Sequence, residues 1–328
     1  MNLKSIIFFF SFLSSLCSFG QVQSDKILLD SLKKNDELFK MLESFYKPSS
    51  YLQVSVGVTN KSFGLRNEAL NDLQTASQII GTPSAAYYHK SGLGIAWTGF
   101  LSHQKGSTSL YQHSVTPSFE FITNKNYYAA ISYTHYFLRN LYDPLGSPVQ
   151  NDFYGSFILK KMWLRPGLTV NYSTGKYSEI FKVDTIFRRR NEDVMVQFMD
   201  TMHSSLRSYS ASALGEHSFK SYGLFSHRDA VILTMQAMVN FSYTNFTVTH
   251  NSGIDKLSLS KKKIKKFRNS IQPGSAALKA ESIGLNLYCN YLLGNLIITP
   301  TLYADYYLSP TDTNRFSEIL NLSVGYRF

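Results

Sequence analysis

Leu320-Asn321-Leu322-Ser323-Val324-Gly325-Tyr326-Arg327-Phe328 closes the chain, and its alternation decides the fold. Side chains of a strand point alternately to opposite faces, so Leu320, Leu322, Val324, Tyr326 and Phe328 share one face while Asn321, Ser323, Gly325 and Arg327 share the other. The same period of two recurs upstream. Leu296, Ile298 and Leu302 carry it, as do Ile283, Leu285 and Leu287. Val231, Leu233, Met235, Val239 and Phe241 stand against Thr234, Gln236 and Asn240, and Leu52, Val54, Val56 and Val58 against Gln53, Ser55, Gly57 and Thr59.

Counted from short turns, the strands are expected at 49–60, 80–89, 92–101, 109–122, 127–138, 151–160, 166–175, 230–242, 245–252, 280–291, 296–308 and 316–328. The turns are His89 to Gly92, Thr123 to Asn126, Lys160 to Arg165, Tyr243 to Asn245 and Leu292 to Asn295. A water-soluble sandwich needs only a few such strands to hide its apolar faces. Here about twelve carry Ser, Thr, Asn, Gln and Gly on the second face and aromatics near their ends, the pattern of a barrel that is apolar outside and polar within. The fold class read from this is all-β: a transmembrane antiparallel up-and-down β-barrel of about 12 strands over 49–328. A 14-strand version adds a hairpin near Tyr209 to Phe225. Short turns alternating with longer loops, near 176–229 and 252–279, fit the same architecture, and an even strand number puts both termini on the periplasmic side. Thr82-Pro83-Ser84, Thr116-Pro117-Ser118 and Thr299-Pro300-Thr301 form a weak repeat, with each proline expected at a strand end or bulge.

Composition agrees. Of 328 residues, 44% are apolar, 15% aromatic and 17% charged, with 22 Tyr and 24 Phe. Charge has been exchanged for rings, which excludes a disordered tail as the main character of the chain. Lys4, the apolar run Ile6 to Phe12 and the small residues Ser18 and Gly20 predict a signal peptide over 1–20, cut before Gln21. Leu16 before Cys17 does not suit lipidation, and after the cut Cys289 is alone, so neither a disulfide framework nor a cysteine metal site is expected. Over 21–48, Ile27, Leu28, Leu32, Leu38, Phe39, Leu42 and Phe45 recur at helical spacing, which predicts a short periplasmic amphipathic helix.

The final segment, with Leu322, Val324, Tyr326 and Phe328 as its assembly signal, resembles the C-terminal signature of bacterial outer-membrane β-barrel proteins. That resemblance implies recognition by the barrel assembly machinery and residence in the outer membrane of a Gram-negative bacterium. It is a resemblance of class, covering 49–328.

The net charge of +11 is concentrated. Between His250 and Ala280, eight basic residues, among them Lys261, Lys262, Lys263, Lys265, Lys266 and Arg268, stand against Asp255 alone; Arg188, Arg189 and Arg190 form a second group. Cations beside an anionic leaflet gain attraction without a specific site, so contact with lipopolysaccharide phosphates is one reading. The other is a funnel that concentrates a small anionic solute above a pore. Nucleic acid is excluded as a partner for want of any reader motif. Candidate lumen residues are Lys90, Glu120, Tyr303, Asp305 and Arg327, with Tyr128, Tyr136, Asn286, Tyr288 and Tyr307; Lys90, Glu120 and Arg327 are expected to pair and seal the periplasmic end. Asn191, Glu192 and Asp193 ahead of Val194, Met195, Phe198, Met199 and Met202 predict a short helix within the 176–229 loop.

Catalytic signatures are sparse: the eight His form no HExxH pair, and no GxSxG elbow is present. His250-Asn251-Ser252 resembles the His-x-Ser element of outer-membrane phospholipase A, but Gly253 follows Ser252 where that family has Asn-Gly. No cofactor is implied. The functions this leaves are a narrow or gated channel for small solutes, a non-conducting structural or surface barrel, and, remotely, a lipid hydrolase.

Overall fold

The structure is a computed structural model that describes residues 49–61, 77–104, 107–121, 124–138, 149–189, 192–226, 229–252, 279–308 and 315–328. The expected signal peptide, the helix over 21–48 and the basic segment Lys261 to Arg268 lie outside these residues.

Twelve antiparallel strands form one closed ring: β1 (Tyr51–Lys61), β2 (Ser77–Tyr88), β3 (Leu93–Gln104), β4 (Ser107–Glu120), β5 (Tyr127–Leu138), β6 (Asn151–Leu159), β7 (Arg165–Arg189), β8 (Glu192–Tyr222), β9 (Asp229–Ser252), β10 (Lys279–Leu293), β11 (Leu296–Tyr307) and β12 (Phe316–Arg327). Each pairs with its neighbours in sequence, and β12 returns to β1 through Val54↔Tyr326, Val56↔Val324 and Val58↔Leu322. Closure removes the two open edges that a sheet would otherwise present. The last residue completes it: the Phe328 amide donates to the Leu52 carbonyl at 2.8 Å, and the Leu52 amide donates back to the Phe328 carbonyl at 3.3 Å. Deleting Phe328 removes both bonds, about 1–2 kcal/mol of net stability. A fall in heat-resistant folded protein in the membrane fraction is the expected result, and an unchanged level would count against the assembly role of this residue.

The alternation of the sequence becomes the two faces of the wall. Val54, Val56, Val58, Leu93, Ile95, Ile131, Leu168, Val170, Leu320, Leu322 and Val324 all point outward and are exposed, Val56 by 58%. Such a surface costs most in water and least in hydrocarbon, and strands of 9 to 12 residues such as β6 and β1 match the thickness of a bilayer. An outer ladder of rings crosses β5 to β9: Tyr133–Phe153 at 4.7 Å, Phe153–Tyr172 at 6.2 Å, Tyr172–Tyr209 at 4.6 Å and Tyr209–Tyr243 at 6.1 Å. An aromatic girdle of this kind belongs at a membrane interface.

The start of β1 and the final residue, Phe328, lie at the end of the short connections. In these, Gly92 (φ 96°) and Gly294 (φ 58°) supply the left-handed backbone that a tight turn needs. The β8–β9 turn is built differently. The Asp229 carboxylate, fully buried, accepts from the amides of Leu224, Phe225 and Ser226 at 2.8, 2.8 and 2.9 Å.

Three sequence expectations are corrected here. The strand total of twelve is right, but its composition differs. The presumed loop at 176–229 is the upper part of β7 and all of β8, while the presumed turn at Tyr243 to Asn245 is continuous strand, paired as Tyr209↔Tyr243 and Arg207↔Asn245. The presumed helix after Asn191 is strand as well, with Val183↔Phe198 and Ile186↔Met195. A long ladder on β7 satisfies every second amide of this segment, which outweighs its weak local helical preference. As a result β7, β8 and β9, with 25, 31 and 24 residues, rise well past the rest of the ring.

The three prolines sit inside strands and face outward, where Pro83 opposes Val56, Pro117 opposes Ile95 and Pro300 opposes Leu322. Each keeps one ladder and interrupts the other, because it has no amide hydrogen to donate. The pairings β2–β3, β4–β5 and β10–β11 skip two or more residues at these points. At two of the gaps the inward threonine bridges instead: Thr116 to Thr134 at 3.0 Å, and Thr299 to Asn290 at 2.9 Å.

Candidate functional site

The inward positions of the twelve strands enclose a lumen whose charged groups fall into three levels. At the terminal end, Arg327 lies over the Tyr51 ring at 4.5 Å, Tyr51 packs on Tyr88 at 5.1 Å, and Glu120 accepts a hydrogen bond from Tyr128. Arg327 and Glu120 are both within Coulombic reach of Tyr51 and Tyr88, so opposite charges share this level. Lys90 does not join them. It is exposed in the β2–β3 turn, where its amide donates to Ser50 Oγ at 3.0 Å. Lys160, in the β6–β7 turn, donates to the Asn124 carbonyl at 3.1 Å, a loop contact beneath Tyr128.

One step inward, Arg165 on β7 and Glu216 on β8 form an ion pair of 2.9 Å. Glu216 is only 6% exposed, and its second stabilising contact is Gln236 Nε2 at 2.7 Å. Asn286 Nδ2 in turn donates to Gln236 Oε1 at 2.8 Å, and Arg165 also donates to Ser218, whose hydroxyl meets Thr234 at 2.9 Å. Tyr288 on β10 reaches toward this pair, and Tyr154 on β6 joins it in reaching toward Tyr128 from another side of the ring. Large rings converging from separate strands narrow the passage there.

Toward the long-loop end, Asp305, 7% exposed, accepts from Asn240 Nδ2 at 3.2 Å. The same amide donates to Tyr303 at 3.2 Å and Ser282 at 3.0 Å, and Asn240 Oδ1 accepts from Ser212 at 2.6 Å. Gly284 makes the room: a Cβ at that position would stand 3.1 Å from both Asp305 Oδ1 and the Tyr303 hydroxyl and 2.9 Å from Met238 Cγ. Across the lumen, Asp152 at the start of β6 accepts from Asn171 Nδ2 at 2.8 Å and from Ser173 Oγ at 2.5 Å. Thus Glu120, Tyr303, Asp305 and Arg327 stand at inward register positions on two separate levels.

The sequence reading passed over Asp152, Arg165, Glu216, Gln236 and Asn240. Asp152 was legible from parity, since it opposes the outward Phe153 and Phe157 of its own strand. Gln236 and Asn240 were legible as the polar partners of Met235 and Val239. Glu216 was hidden with β8 itself, and Arg165 looked like the end of a turn.

Of the other candidates, Arg188 and Arg189 are the last residues of β7, opposite Asp193 and Glu192. Arg190 falls outside the described residues. His250 and Ser252 are at the far end of β9, opposite Met202 and Asp200. On the outer wall, an apolar groove of about 870 Å³ forms around Gly155 between Ile131, Tyr133, Phe153 and Tyr172. Among the described residues no group of three or more His, Cys, Asp or Glu is arranged to hold a metal ion.

No protein-family model matches the sequence, and no curated protein does. Solved structures that resemble this chain include the COG4313 outer membrane channel from Pseudomonas putida F1, at 10% identity and TM-score 0.42 over 86% of this chain and 96% of that one. The NanC porin has 8% identity and TM-score 0.33, over 84% of this chain and 100% of that one. The toluene transporter TodX of Pseudomonas putida has 9% identity and TM-score 0.30, over 85% of this chain and 89% of that one. Likenesses this distant transfer no lining residue and no solute, so the site is argued from this chain's own geometry.

Proposed function

We propose that the protein is an outer-membrane channel for small hydrophilic solutes, with both termini in the periplasm and the long strands β7 to β9 on the outside. The observation that supports this best is the opposition of the two faces of one wall. Outside is an apolar belt; inside the closed ring of strands are Ser, Thr, Asn, Gln, Tyr and charged side chains, many bonded to one another across neighbouring strands. A barrel that merely anchored external loops could fill its interior with apolar side chains at less cost than burying this many polar groups.

The basic segments Arg188 to Arg190 and Lys261 to Arg268 are assigned to the phosphates of neighbouring lipopolysaccharide, which attract cations near the membrane surface whether or not the pore conducts. Assembly through the barrel machinery at Leu322, Val324, Tyr326 and Phe328 belongs to the same reading.

The test is the current through the refolded mature chain in a planar bilayer. Discrete steps of uniform size are expected, small because Tyr128, Tyr154 and Tyr288 restrict the passage. A folded and inserted barrel that carries no current would favour the non-conducting surface protein.

A further inference from the structure

The charges of the lumen offset one another level by level. At the terminal end Glu120 is offset by Arg327, and one step inward Glu216 is paired with Arg165 at 2.9 Å. Toward the long-loop end, Asp152 and Asp305 share their half of the lumen with two cations at inward register positions, Lys279 opposite Ser242 and Arg315 beside Tyr307. Lys220, also inward by register, is exposed at the terminal rim. Inside that rim the inward acids and bases of the described residues are equal in number at each level. Such groups still offer donors and acceptors to a solute, but their fields oppose one another, so neither sign of ion gains a net attraction.

The remaining groups are neutral and form two facing walls. On β7 to β10 the ion pair runs on through Gln236 to Asn286 in bonds of 2.7 and 2.8 Å. Beside it lies a second row, in which Ser218 meets Thr234 at 2.9 Å and Thr234 bonds to Tyr288. Asn286 gives one N–H to this network, which leaves its carbonyl oxygen and second N–H for a solute. Facing the strip from β5 and β6 are Tyr128 and Tyr154, both within Coulombic reach of Tyr288. Tyr154 points inward, opposite Ser132 and Asn171, yet is 40% exposed, so its ring borders the passage and is not packed into the wall. A ring face accepts the C–H face of a saccharide, while amides and hydroxyls opposite exchange hydrogen bonds with its hydroxyls. A purely apolar solute would leave those amides without partners.

We infer that the channel takes neutral, polyhydroxylated solutes of the saccharide or polyol class, held in passing between the Tyr128 and Tyr154 rings and the strip of Gln236, Asn286 and Tyr288. This rests on the channel reading and names its solute. Tyr154 is the residue that determines specificity, because it combines an inward position with an accessible ring.

The experiment is the potassium chloride current through the full mature chain in a planar bilayer as glucose or maltose is added. A block that saturates with sugar is expected, with no such block from a polyethylene glycol of matching mass, and potassium and chloride should permeate about equally. Tyr154→Ala should weaken the block roughly tenfold, the loss of one ring contact, while the current steps persist; Tyr154→Phe should retain it. A conducting wild type on which sugar acts no more strongly than the polyethylene glycol overturns the inference and leaves the channel reading standing. So does a strong preference for either ion, and so does an unchanged block in a conducting Tyr154→Ala pore. If that variant fails to fold, the wild-type comparison decides alone. A folded barrel without current overturns both readings.

Discussion

Arg165→Ala is expected to destabilise the barrel by about 3 kcal/mol, because it removes one partner of a buried ion pair and leaves the other charge unmatched. Glu216 is the group stranded. With its carboxylate 2.9 Å from Arg165 and nearly inaccessible, it would keep only the amide of Gln236. Urea titration of the protein refolded in phospholipid vesicles measures the loss. The double variant Arg165→Met with Glu216→Leu should recover most of it, since exchanging both partners removes the stranded charge and not merely its contact. A single variant within about 0.5 kcal/mol of wild type would mean that water in the lumen already solvates Glu216 and that the pair contributes no more than a surface bridge does.

The outer wall sets the second large effect. Val56 is mid-strand, 58% exposed, and flanked by Val324 and Pro83 on its neighbours. Val56→Arg is expected to cost about 2–4 kcal/mol in lipid, the amount by which an arginine near the midplane of a bilayer opposes insertion. Its neighbour provides the control. Ser55 faces the lumen and meets Ser84 Oγ at 2.6 Å, so Ser55→Ala should cost only about 1 kcal/mol, one hydrogen bond. Equal costs at the two positions, measured in the same vesicles, would mean that the face turned to lipid has been misidentified.

How far the sequence speaks for this fold depends on how strongly each strand alternates. β1, β3 and β12 place Val, Ile, Leu or Trp against Gly, Ser, Asn or Thr, and their faces were legible to the residue. β8 offers Tyr209, Ala211, Ala213 and Gly215 outside against Ser208, Ser210 and Ser212 inside, a contrast too slight to read. Its outward side can be small because the rings of Tyr172 and Tyr243 flank Tyr209 from both neighbouring strands. Packing with neighbours distant in sequence supplies what the local pattern lacks. The count of twelve survived because one missed strand, β8, was offset by one split strand, β9. In the site, residue types were visible but levels were not. Glu120 and Asp305 look alike as inward acids, and only the strand register shows that one faces Arg327 across the terminal end while the other stands among neutral donors.

The unequal strand heights have a consequence for what the surroundings meet first. The ladder of β7 with β6 ends at Asn151↔Thr174, and that of β9 with β10 ends at Ser242↔Lys279, yet β8 continues between them to Glu192. Above those points the closed ring has become a three-stranded fin, whose β7 flank still meets a neighbour at its base, where the Lys176 carbonyl accepts from Gln150 Nε2 at 3.3 Å. An edge strand turns alternate N–H and C=O groups away from its partner. Along its two edges, on the reading that sets the long strands outside, the fin offers main-chain groups, which are recognised by shape and spacing more than by side-chain identity. Such an edge tolerates drift in its sequence so long as its residues stay extended.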